Sequence, residues 1–102
     1  MMFTDGEIDI QIIPTAMGIR EEGEAMHHCV GGYYNRPESL IMSAKIDGKR
    51  IETIEVDLEN YELVQSRGLQ NQATEYHKRI VELVNQNMDE IRSRNTKMRV
   101  AV

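Results

Sequence analysis

With 102 residues and a formal net charge of −5, the chain has the size of one domain and the wrong overall sign to grip nucleic acid with its whole surface. Its 40% hydrophobic and 28% charged residues suit a globular protein, and four Tyr, one Phe and no Trp leave the core to Ile, Leu, Val and Met. A lone cysteine excludes an internal disulfide, no apolar run nears the roughly 20 residues of a bilayer span, and Met1-Met2-Phe3 meets acid at once instead of opening a signal sequence, so a cytoplasmic protein without membrane contact is expected.

In chain order, residues 1–6 read as a frayed start. Glu7-Ile8-Asp9-Ile10-Gln11-Ile12 alternates polar with isoleucine, the period of a strand with one buried face. Ile13 continues it and Pro14 stops it. Thr15 has the chemistry of a helix N-cap. Gly18 and Gly23 weaken a long helix, so the reading is a helical turn over 16–19 and then a helix over 21–30. Glu21, Glu22 and Glu24 would occupy its first turn, where the helix dipole favours acids, and Gly31-Gly32 would supply its left-handed cap.

Asn35-Arg36-Pro37-Glu38 marks a turn. Leu40, Met42, Ala44 and Ile46 form one face of the next strand. Asp47-Gly48 is a strong hairpin signal, and residues 49–58 return as the partner with Ile54, Val56 and Leu58 inward. Glu59-Asn60 turns the chain into a third strand over 61–67, which Gly68 ends. After a polar loop, Thr74 would cap a last helix running to Arg94. Tyr76, Ile80, Leu83, Val84, Met88 and Ile91 recur on it at helical spacing.

The expected fold is α+β in the order β-α-β-β-β-α: an antiparallel three-strand meander plus the N-terminal strand, with the helices packed on one face. Residues 1–94 would form the single domain and 95–102 a basic, flexible tail. Arg92, Arg94, Lys97 and Arg99 follow Glu90 with no acid among them, an arrangement that offers nucleic acid or an acidic partner a local binding site in an otherwise acidic chain. The first strand and the last helix offer a homodimer its edge or its face.

The densest chemistry lies in Glu21–Tyr34, which holds the only cysteine, two of the three histidines and a Gly-Gly pair. At about 100° per helical residue, Ala25, Met26, Cys29, Val30 and Tyr33 would share an apolar arc, with Cys29 a small buried thiol. His28 points elsewhere, so it is a poor direct base for Cys29. His77 or a carboxylate from the meander would have to serve. Glu24 and His28 at i, i+4 would share a face. His27-His28 has neither of the paired spacings that structural zinc favours, and no metal or cofactor is expected. Gly31-Gly32 follow a helix instead of preceding one, which argues against a phosphate loop. Further along, Gln65 and Arg67 share a strand face with Asn71 beyond. Glu55 on the neighbouring strand offers Arg67 a cross-strand ion pair.

The pattern Glu22-Gly23-x-x-Met26-x-His28-Cys29-Val30-Gly31-x-Tyr33, then Thr53-Ile54-Glu55-Val56, then Val64-Gln65-x-Arg67-Gly68-x-x-Asn71 resembles the PcfJ-like family over residues 8–90. That family is associated with conjugative plasmids, integrated elements and phages, and the chain is similar to the C-terminal module of its longer members. The resemblance implies that His28, Cys29, Tyr33, Glu55, Gln65, Arg67 and Asn71 mark a site. The leading expectation is a non-catalytic accessory or binding module of a mobile genetic element, linked to DNA transfer or processing. The alternatives are a small enzyme with Cys29 as nucleophile or His28 as acid–base, and nucleic-acid binding through the tail.

Overall fold

The computed structural model describes residues 2–27 and 38–100, without the side chains of Asn71 and of residues 95–100. The alternating isoleucines do form a strand, and it is the second of five. β1 (Met2–Thr4) and β2 (Ile8–Ile12) make an N-terminal hairpin; α1 (Ala16–Met26) follows; β3 (Ser39–Ile46), β4 (Lys49–Asp57) and β5 (Glu62–Arg67) make the meander. A 3-10 turn (Leu69–Asn71) leads to α2 (His77–Gln86) and α3 (Met88–Val100). The sheet runs in sequence order, and every neighbouring pair is antiparallel. The α+β class is as expected, and β2 adds to the meander beside β3, with Ile10 opposite Ala44.

The core forms where the strand period brings apolar residues to one face. Ile8, Ile10, Met42, Ala44, Ile54 and Val56 are fully buried there, and Ile80, Val84 and Ile91 of α2 and α3 close over them. That is the predicted helical stripe meeting the predicted strand faces. Asp47 (φ 51°) and Gly48 (φ 78°) build the β3–β4 turn in the left-handed region, as Asp-Gly favours. Two register shifts bend the sheet. Ile51 is an extra residue in β4 opposite the Ala44/Lys45 step, and Val64 is one in β5 opposite the Glu55/Val56 step.

Several expectations are corrected. Residues 2–4 are not frayed but pair as an edge strand. Asp5 closes their turn by accepting from the amides of Glu7 and Ile8 at 3.0 and 2.8 Å. Those amides, with Arg79, hold its carboxyl at about 2. Arg79 of α2 bonds Asp5 and Glu7 together, an exposed clip of small energetic worth.

The turn and helix expected over 16–19 and 21–30 are a single helix. Thr15 caps it by accepting from the Gly18 amide at 3.0 Å, and it ends at Met26 with His27 in the left-handed cap at φ 56°. Glu21, Glu22 and Glu24 therefore lie past its first turn. The Gly31-Gly32 cap lies outside the described residues. The last helix is two helices. At Asn87 the amide bonds to the Val84 carbonyl while the side chain donates back to Leu83, the competition for backbone partners that disfavours Asn inside helices. The residue at the N-cap of α2 is Tyr76, not Thr74; the Thr74 hydroxyl donates to Glu52 and accepts from the Tyr76 amide at 3.2 Å, one turn ahead of the helix. α3 continues through residues 95–100, within the expected tail.

The helices also lie on two faces. Successive strand residues point to opposite sides of a sheet. Glu52 and Ile54 of β4 meet the α2 side, whereas Thr53 between them bonds Glu22 of α1. So α1 covers the reverse face.

The core account gives a direct test. Ile54→Ala is expected to lose about 2–5 kcal/mol, the usual cost of such a cavity, while Val64→Ala at the exposed bulge should stay within about 0.5 kcal/mol. Urea unfolding followed by far-UV circular dichroism compares the two.

Candidate functional site

Glutamate is almost never fully buried unless paired, yet three glutamates are buried here, two of them on β4. Glu52 has no exposed side-chain surface. Its Oε1 accepts from Ser66 Oγ of β5 at 2.6 Å and lies 2.9 Å from His77 Nδ1 of α2. Its Oε2 accepts from both the hydroxyl and the amide of Thr74, at 2.6 and 3.0 Å. Four partners fill the acceptor sites of an ionised carboxylate. Burial alone would push this carboxyl up, but the bonds from Ser66, Thr74 and His77 outweigh it and hold Glu52 below its ordinary range. With Glu52 ionised, His77 donates from Nδ1. Ser66 and His77 share the same carboxylate oxygen, so this is not a relay in which histidine activates serine; in such a relay the imidazole stands between serine and acid.

On the reverse face Glu22, 1% exposed, reaches down from α1. Its Oε1 accepts from Arg50 Nε at 2.8 Å and its Oε2 from Thr53 Oγ1 at 2.6 Å. Further along the same face Glu55, 4% exposed, accepts from Ser39 Oγ at 2.7 Å and from Gln65 Nε2 at a longer 3.4 Å.

Thr74 and Arg50, each fixed by one of these glutamates, line an open cleft. It has a volume of about 630 Å³ and opens between the end of α1, the β3–β4 hairpin and the segment before α2. Met26, Ile51, Leu69 and Tyr76 give it apolar walls, and Leu69 stays 52% exposed. Lys49 and Arg50 stand against Glu75 in its lining. Gly68 has to be glycine for the cleft to keep this shape, because a Cβ there would meet Thr74 Cγ2 at 2.5 Å and the Gln72 carbonyl at 2.8 Å.

Of the residues singled out from sequence, Glu55, Gln65 and Arg67 do share one face of the sheet. Gln65 stands opposite Glu55, and Arg67 is exposed opposite Thr53. No Glu55–Arg67 ion pair forms among the described residues. Asn71 ends the 3-10 turn. His28, Cys29 and Tyr33 lie outside the described residues, and so does the Glu24–His28 pairing; the helix on which these residues were placed ends at Met26. Sequence reasoning missed Glu22, Glu52, Ser66 and Thr74. The available signal was a polar residue on each face of β4, Glu52 on one and Thr53 and Glu55 on the other. Among the described residues no three metal-binding side chains converge, and no helix is long and apolar enough to cross a membrane.

Fold and site together define a small α+β domain whose buried acids are tied into its framework beside an open cleft. The chain belongs to the PcfJ-like protein family, whose model matches residues 1–81. No curated protein and no solved structure matches it.

The Glu22–Arg50 pair can be tested by breaking it. Arg50→Met strands a buried carboxylate, which typically costs about 3–5 kcal/mol. The lower end is expected because the Arg50 side chain is 36% exposed. The double replacement Glu22→Met, Arg50→Met should be less destabilising than Arg50→Met alone, as read from chemical denaturation midpoints.

Proposed function

We propose that this domain is a non-catalytic binding module, an accessory part of the machinery of a mobile genetic element, acting in the cytoplasm. The mobile-element setting rests on the family resemblance. The binding role rests on one observation: the cleft is lined by Thr74 and Arg50, which the buried carboxylates of Glu52 and Glu22 hold in place, while Glu52 is saturated and Glu22 is covered by Arg50 and Thr53. A general acid or base needs a lone pair or a proton within reach of its substrate. Glu52 has spent its acceptor sites on Ser66, Thr74 and His77, and Glu22 is shielded by Arg50 and Thr53.

The cleft fits a protein segment better than a reacting small molecule. Its walls are largely apolar, Leu69 is an exposed anchor, and Arg50 is paired with Glu22, which leaves Lys49 beside Glu75 as the other cation of the lining. An apolar side chain beside an acid that meets Lys49 is the complementary partner. The tail reading has less to rest on. Arg94 already pairs with Glu90 at 2.7 Å, and Arg92 lies over the Tyr61 ring at 4.9 Å.

The role can be tested in cells that carry the encoding element. A benzophenone amino acid at position 69 should cross-link to one defined partner, Lys49→Glu should abolish the adduct, and the same probe at exposed position 64 should give none. Equal adducts from positions 69 and 64, or no adduct from 69, contradict the role.

A further inference from the structure

A second, smaller cavity of about 200 Å³ lies beneath α1 on the face that carries Thr53. Ser43 of β3 lines it. This serine is 2% exposed, and its hydroxyl has no hydrogen-bond partner among the described residues. Buried hydroxyls in folded proteins are almost always paired, so an unpaired one asks for an explanation. Its neighbours across the strands do not supply a partner. Thr53, directly opposite, gives its hydroxyl to Glu22, and Gln11 on the other side is exposed.

The same cavity is lined by Lys45 and Arg50. Arg50 spends Nε on Glu22, which leaves the two terminal nitrogens of its guanidinium fork. Lys45 makes no ion pair among the described residues. Asp9 stands opposite it in register but does not line the cavity. Three kinds of unused donor therefore surround one small space: a buried hydroxyl, an ammonium and a guanidinium edge.

We propose that this cavity binds a small oxyanion group carrying one negative charge, a carboxylate or a monoanionic phosphate. Charge sets the limit of one. Glu21 and Glu22 line the cavity with Lys45 and Arg50, so the four formal charges cancel. Glu22 is neutralised by Arg50, and Glu21 is solvent-exposed, which leaves Lys45 as the cation in need of a partner. Size sets the class, because the volume falls below the roughly 300 Å³ at which drug-sized ligand sites begin. A second anionic charge would meet Glu22 without compensation. This site is separate from the cleft of the binding module, although Arg50 lines both.

The test is a nitrogen-15 amide titration of the full chain with inorganic phosphate and, separately, with acetate, ionic strength being held constant with chloride. Saturable shifts centred on Ser43, Lys45 and Glu22 are expected with at least one of the two, and the one that saturates identifies the group. Ser43→Ala and Lys45→Met should each weaken binding about tenfold or more, the scale of one charge-assisted hydrogen bond. Lys45 is half-exposed, so Lys45→Met keeps the test decisive should Ser43→Ala disturb packing. Linear, unsaturable shifts with both anions overturn the proposal, as does wild-type affinity in Lys45→Met.

Discussion

Two consecutive residues of β4 hold the architecture together by pointing in opposite directions. Glu52 faces α2 and takes four hydrogen bonds from Ser66, Thr74 and His77; Thr53 faces α1 and bonds the buried carboxylate of Glu22. Removing an ionised carboxylate from water is unfavourable by several kcal/mol unless its lone pairs are filled. Filling them dictates where the partners must stand. The start of α2 is tied to one face of the sheet at Thr74 and His77, and the second half of α1 is tied to the other face at Glu22. Apolar burial drives the collapse, but it is non-directional. The glutamates add direction.

The same constraint bears on chemistry. A buried carboxylate with an empty acceptor site and a raised pKa would be a candidate acid or base. Glu52 has the opposite character, since its hydrogen bonds favour the charged form. What these clamps do provide is a rigid frame for the cleft, because Thr74 and Arg50 line it and are each held by one of them. Binding surfaces gain from side chains that are fixed before the partner arrives. The one buried side-chain polar atom left unmatched among the described residues, the Ser43 hydroxyl, marks the second cavity, where the frame offers donors instead of consuming them.

Much of the sheet was legible in the sequence. Alternation marked β2, the apolar face of Leu40, Met42, Ala44 and Ile46 marked β3, and Asp47-Gly48 fixed the continuation into β4, with the expected inward faces. Elsewhere a local signal was read correctly and a longer-range one was invisible. Thr15 reads as a cap and is one, but Gly18 and Gly23 read as breakers, and packing kept the helix whole across them. At Gly18 a Cβ would meet Ile13 Cγ2 at 2.7 Å, so that glycine serves close approach, and Gly23 is buried. β1 is only three residues long, too short for periodicity to register. Glu22 read as a first-turn acid and Glu55 as a site residue and a partner for Arg67, while Glu52 drew no reading, because strand and helix patterns do not show which polar positions meet a partner from elsewhere in the chain. For the same reason the single-face placement of the helices missed α1, whose Glu22 meets Thr53 on the polar side of β4.

The account stands or falls on the state of Glu52. Its folded pKa lies below the unfolded value, so its contribution to stability is complete above the ordinary glutamate range and is lost as pH falls through the folded value. A carbon-13 titration of the Glu52 side-chain carboxyl reads this directly. The clamp predicts a midpoint below the ordinary glutamate range, and no titration near neutrality. A midpoint above it would mean that Glu52 holds a proton in the folded domain, and would replace the clamp with an acid–base group.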